Sequence, residues 1–147
     1  MKPADAVDIL LVEDNPRDVE LTLRIFQKNH LANQVYVAED GARALDFVFG
    51  RGEFSGRADA QHPKVIFLDI KLPKLNGLEV LREIKSNART RSIPVVMVTS
   101  SREDPDIKAA YDLGANSYVV KPVDFASFQE VVNNIGMYWL LINQNPK

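Results

Sequence analysis

Five short apolar runs, each closed by a polar or charged residue and each followed by a helical pattern, constrain this chain more than any other feature. The runs are DILLV (Asp8–Val12), QVYVA (Gln34–Ala38), KVIFLD (Lys64–Asp69), IPVVMVTS (Ile93–Ser100) and NSYVV (Asn116–Val120). They are short, β-branched and continuously apolar, as expected of strands covered on both faces. Between them lie helix signals. Asn15 and Pro16 read as an N-cap and first helical residue, ahead of a stripe of Val19, Thr22, Leu23 and Phe26. Asp40 caps a helix with Ala44, Leu45, Val48 and Phe49 on one face. Asn76, with Glu79 three residues on, caps a helix carrying Val80, Leu81 and Ile84. Asp104-Pro105 opens a helix that stops at Gly114, and Asp124 begins a last one running to about Ile142. Strict alternation of this kind predicts an α/β fold with a parallel sheet and right-handed crossovers.

In such sheets ligands bind beyond the carboxyl ends of the strands, so the residues that close each run matter most. The first run ends in Glu13-Asp14, the third in Asp69, the fourth in Thr99-Ser100-Ser101, and the fifth is followed by Lys121-Pro122. If neighbouring strands align, three carboxylates, a hydroxyl and an ammonium converge. Clustered carboxylates repel one another and call for a cation. Oxygen donors without Cys or His suit a hard ion, Mg²⁺. Lys121 adds positive charge and Thr99 a hydroxyl donor. Such a set can stabilise a transferring phosphoryl group, and a carboxylate can be its nucleophile.

Composition removes other classes. The chain has 147 residues, enough for one ordinary domain, and a net charge of -2 without a basic block or cationic stripe. That argues against nucleic acid and membrane surfaces as partners. It has no cysteine, which excludes disulfides and thiolate chemistry. No apolar run suits a signal peptide or a transmembrane helix, so the expected location is the cytoplasm. A Gly-rich turn after the first strand is missing, which excludes a dinucleotide fingerprint. The segment Arg51–Pro63 is polar and Gly-rich, and reads as a long surface loop available to a partner.

LLVEDNP, VIFLDIKLPKLNG, VVMVTSS and YVVKPVD, in this order and spacing, resemble the four signatures of response-regulator receiver domains. The resemblance covers nearly the whole chain. It implies a flavodoxin-like (βα)5 fold, doubly wound, with strand order 2-1-3-4-5. It also implies a role for each matching residue. Asp69 matches the phosphoacceptor, and Glu13 and Asp14 match the acid pair that binds Mg²⁺. Lys71 matches the position whose backbone carbonyl ligates the metal. Thr99 matches the switch hydroxyl, Tyr118 the switch aromatic, and Lys121 the phosphate-pairing lysine. The implied partners are a histidine kinase and a downstream protein or phosphotransfer partner. The implied activity is phosphoacceptance with self-phosphorylation and autodephosphorylation, not turnover of a substrate. The "GEF" loop, DIKAAYDLGANSYVVKPVD and GMYWL further resemble the small response regulators paired with bacterial and cyanobacterial phytochromes. Two rivals stand beside this reading. A phosphorylation-independent pseudo-receiver would lack the acid pair or the lysine. An aspartyl phosphohydrolase usually wants a second acid where Lys71 stands.

Phe125, Phe128, Val132, Ile135, Trp139 and Ile142 recur at three- and four-residue spacings along the last helix, with Tyr138 nearby on another face. This seam is read as an interface through Phe128, Ile135, Tyr138, Trp139 and Ile142. A homodimer through the fourth helix, fifth strand and fifth helix is the expected form. With so few residues after Ile142, the expectation is one receiver domain over 1–147 without an output domain.

Overall fold

The computed structural model describes residues 7–28, 34–57, 62–121 and 124–134. Five parallel strands, β1 (Ile9–Val12), β2 (Val35–Ala38), β3 (Val65–Leu68), β4 (Val95–Thr99) and β5 (Ser117–Val120), form one sheet in the order β2-β1-β3-β4-β5. Between and after them run α1 (Pro16–Lys28), α2 (Gly41–Phe49), α3 (Gly77–Ser86), α4 (Asp104–Asp112) and α5 (Phe125–Asn134). This is the flavodoxin-like order expected from the signatures. No helix among the described residues is long and apolar enough to cross a membrane.

The pleat sends alternate side chains to opposite faces. Leu10, Val12, Ile66, Leu68, Val95 and Met97 pack with α2, α3 and α4 residues Ala44, Leu45, Phe47, Val48, Val80, Leu81, Ile84 and Ala110. Ile9, Leu11, Val65, Phe67, Val96 and Val98 pack with Phe26 of α1 and Phe128 of α5. Both faces are therefore dry, which explains why the strands read as unbroken apolar runs. On the α1/α5 side Phe67 lies 4.9 Å from Phe26 and 5.5 Å from Phe128, centroid to centroid. Truncating such a buried ring costs about 3–5 kcal/mol.

Local signals act where they were expected. The Arg17 amide donates to Asn15 Oδ1 at 2.9 Å, the Arg43 amide to Asp40 Oδ1 at 2.7 Å, the Leu78 amide to Asn76 Oδ1 at 2.7 Å, and the Ser127 amide to Asp124 Oδ1 at 2.7 Å. Each side-chain oxygen satisfies a donor orphaned at a helix start. Gly114 follows α4 at φ 106°, in the region open to glycine.

Two expectations need correction. The segment after α2 is not wholly a surface loop. Gly52–Arg57 forms a 3-10 turn that buries Phe54 edge-on against Tyr36 and Phe47, with ring centroids 5.6 and 5.2 Å away. Polar neighbours masked its one apolar anchor. Phe128, expected at an interface, is instead buried between β3 and α1 at 2% exposure. A helix that covers one sheet face must direct part of its seam inward, and Phe128 is that part. The expected interface residues Ile135, Tyr138, Trp139 and Ile142 lie outside the described residues.

Candidate functional site

The site lies at the carboxyl edge, where β1 and β3 end side by side. Val12 pairs with Leu68, and the next residues continue the ladder: the Asp69 amide donates to the Val12 carbonyl at 3.1 Å, and the Glu13 amide to the Ala38 carbonyl at 3.0 Å. Parallel register therefore brings Glu13 and Asp69 together although distant segments supply them. Glu13 and Asp69 are buried, and Asp14 is exposed. Each of the three offers a carboxylate oxygen, and these oxygens all lie within 4.8 Å of one another. Three hard oxygen donors, one of them open to solvent, fit a small divalent cation that keeps some of its waters.

Lys121 arrives from the other direction. Its amide donates to the Thr99 carbonyl at 2.8 Å, extending the β4–β5 ladder by one residue. Its Nζ lies 2.7 Å from Glu13 Oε1, 2.8 Å from Asp18 Oδ2 and 2.9 Å from Asp69 Oδ2. The side chain is only 14% exposed, so these pairs are shielded from water. Burial disfavours the ammonium, but hydrogen bonds to Asp18, Glu13 and Asp69 outweigh it and hold its pKa above the ordinary lysine range. Burial pushes the Glu13 carboxyl above its ordinary value; the Lys121 hydrogen bond opposes this and Asp69 repulsion adds to it. The site thus carries an excess of negative charge that one ammonium does not neutralise.

The loop after β3 fixes Asp69. The Gly77 amide donates to the Ile70 carbonyl at 2.7 Å, and a Cβ on Gly77 would run into the Asp69 carbonyl oxygen. Only glycine allows that approach. The Lys71 amide reaches toward Asp69 Oδ1 at 3.4 Å, while the residue itself is exposed.

Thr99 ends β4, fully buried, and the Ser101 amide lies 3.4 Å from its Oγ1. Tyr118 is half-buried on β5, its hydroxyl donating to the Ser101 carbonyl at 3.1 Å. Burial raises the Tyr118 pKa, the Ser101 hydrogen bond lowers it, and Asp106 and Asp69 raise it further, for a net rise. Ser101 thereby joins the strand-end threonine to the aromatic residue. Its own hydroxyl donates to Asp106 Oδ2 at 2.6 Å.

Glu13, Asp14, Asp69 and Lys121 therefore converge, with Thr99 and Tyr118 linked through Ser101. Asp18 was missed. It stands in the first turn of α1, four residues after Asp14, so EDNPRD already held the signal: an acid close behind the strand-end pair, where the helix leaves the same edge.

Residues 9–133 match the family model of the response regulator receiver domain. The bacteriophytochrome response regulator AtBRR is similar in structure, with TM-score 0.80 and 50% identity over 91% of this chain and 96% of that one. Rcp1, a response regulator of Synechocystis sp., is 35% identical over 132 residues, 90% of this chain and 88% of Rcp1. Its Mn²⁺-bound crystal structure gives a TM-score of 0.74 and 35% identity over 90% of this chain and 93% of that one. The probable methanogenesis regulatory protein FilR2 of Methanothrix harundinacea is 38% identical over 146 residues, 99% of this chain and 92% of FilR2.

Proposed function

Because this chain belongs to the response regulator receiver domain family, we propose that it accepts a phosphoryl group on Asp69 and signals through protein contacts. The observation that carries this reading is the Lys121 ammonium, held between Asp69 and Glu13 beside a three-carboxylate cluster. A histidine kinase presents a phosphorylated imidazole. An Asp69 oxygen attacks phosphorus in line, the N–P bond breaks as the O–P bond forms, and the leaving imidazole nitrogen keeps the electron pair and takes a proton. Glu13, Asp14, Asp69 and the Lys71 carbonyl would hold Mg²⁺, which supplies charge neutralisation for the phosphoryl oxygens. The Mn²⁺-bound Rcp1 supports a divalent cation in this family. Lys121 stays within reach of the developing charge, and the Thr99 hydroxyl donates to a phosphoryl oxygen.

The acyl phosphate adds charge and acceptor oxygens at one strand end. Thr99 is drawn toward it, the Ser101 carbonyl shifts, and the Tyr118 hydroxyl bonded to that carbonyl loses its anchor and turns inward. The α4–β5–α5 face then changes population between two states. That face carries the signal to a downstream protein or phosphotransfer partner, and to a second copy of the chain in a homodimer. The likeness to AtBRR and Rcp1 supports a phytochrome-type kinase as the donor, and cytoplasmic location follows from such a donor.

Incubation with Mg²⁺ and acetyl phosphate is expected to add the mass of one phosphoryl group, with the adduct decaying by autodephosphorylation. Asp69→Asn is expected to abolish the gain. A wild-type chain that stays unmodified, or an equal gain in the variant, removes the reading.

A further inference from the structure

Asp18 takes part in none of the steps above, yet its Oδ2 lies 2.8 Å from Lys121 Nζ. The bland explanation is a surface ion pair, which contributes little because water screens it. The burial argues otherwise. The Lys121 side chain is 14% exposed and the Asp18 side chain 28%. The pair also ties the first turn of α1 to the residue after β5. The Asp18 backbone is fixed, because Pro16 opens the helix and the Asp18 amide lies 3.3 Å from the capping Asn15 Oδ1.

An ammonium has three donors, and here each meets a different carboxylate. Two of those carboxylates, Glu13 and Asp69, also belong to the cation cluster. Asp18 does not. When a cation draws on Glu13 and Asp69, or when Asp69 becomes an acyl phosphate, Asp18 is the carboxylate that stays with Lys121. We propose that Asp18 is a positioning residue: it anchors the Lys121 ammonium from outside the cation cluster, so that Lys121 faces the phosphoryl oxygens instead of competing with the cation for Glu13 and Asp69. This rests on Asp69 being the phosphoacceptor.

The test is a double-mutant cycle on phosphoryl gain from acetyl phosphate, measured by intact mass at saturating Mg²⁺. Asp18→Asn is expected to lower the saturating rate about fivefold, with a smaller change in the half-saturating donor concentration. Asp18→Glu keeps the charge and is expected to recover most of the rate. In a Lys121→Met background, Asp18→Asn is expected to change the rate by less than about twofold, since the anchored group is gone. Lys121→Ala serves in the same way if the methionine variant does not fold. A rate loss of equal size with and without Lys121 overturns the proposal, because Asp18 then acts as a plain charge. An unchanged Asp18→Asn rate in a wild-type chain that does take phosphate overturns it too, and leaves the phosphoacceptor reading standing. A wild-type chain that takes no phosphate overturns both.

Discussion

Two half-buried lysines stand at opposite edges of the sheet, and their surroundings drive them in opposite directions. Lys121, at the carboxyl edge, meets three carboxylates, and its pKa is raised. Lys85, at the amino edge, donates to the carbonyl oxygens of Arg91 at 2.9 Å and Ile93 at 2.7 Å, with Asn116 Oδ1 at 3.5 Å. Burial lowers its pKa. Neutral dipoles tie the Lys85 ammonium in place without repaying its lost hydration, whereas full negative charges overpay that of Lys121. The amino edge is a structural clamp: Asn116 also accepts from the Val95 amide at 2.9 Å and joins the starts of β4 and β5. The carboxyl edge is charged beyond what its own groups neutralise, and is where the proposed cation and phosphoryl group would be received.

Removing the two lysines should separate the edges most clearly. Lys121→Met leaves Glu13 and Asp69 buried without their cation, and should lower stability by about 2–4 kcal/mol in chelator. Millimolar Mg²⁺ should restore part of that loss, because a divalent ion can replace the missing charge. Lys85→Met should cost about 1 kcal/mol, the loss of hydrogen bonds to carbonyl oxygens, and Mg²⁺ should restore none of it. Denaturant unfolding with and without Mg²⁺ checks both. Equal Mg²⁺ responses in the two variants would erase the distinction between the edges.

Alkaline titration should sharpen it, with a smaller effect. Lys121 has a folded pKa above its ordinary value of 10.5, so its contribution to stability is complete below 10.5 and is lost as pH rises through the folded value. Lys85 has a folded pKa below 10.5, so the unfolded chain binds more protons in that window and stability rises with pH until about 10.5. Subtracting each variant's unfolding profile from the wild type should give slopes of opposite sign on the two sides of that value. Tyr118 overlaps the Lys121 window. Its folded pKa is raised above 10.0, so its contribution is present below 10.0 and lost as pH rises through its folded value. Tyr118→Phe removes the overlap and should cost only about 0.5–1 kcal/mol at neutral pH, the worth of the bond to Ser101. A larger loss would mean the ring itself had moved.

Much of the carboxyl edge was legible because a parallel strand buried on both faces must stop where polarity resumes. Glu13, Asp69, Thr99 and Lys121 each mark such a stop, and neighbouring stops lie close together in a sheet. The rest needed rotations that one-dimensional patterns do not carry. Whether Phe128 faces β3 or a partner depends on how α5 is turned about its axis. Phe54 is buried because a 3-10 turn folds it under Tyr36 and Phe47. Asp18 reaches Lys121 because the first turn of α1 starts at the carboxyl edge, where β5 also ends, and the Lys121 side chain reaches it there.

The sequence by itself determined which functional groups gather at the carboxyl edge of the sheet. Strand-end carboxylates, a strand-end threonine and a lysine are covalent facts, and strand alternation leaves them little freedom about which end they share. Tertiary structure decided the pairing: that Lys121 bonds three acids at once, that Lys85 bonds only carbonyl and amide oxygens among its described partners, and that Asp18 joins the site. The physical reason is range. Hydrophobic periodicity acts over a few residues, whereas an ammonium's charge state is set by whatever the packed fold brings within about 3–4 Å of it.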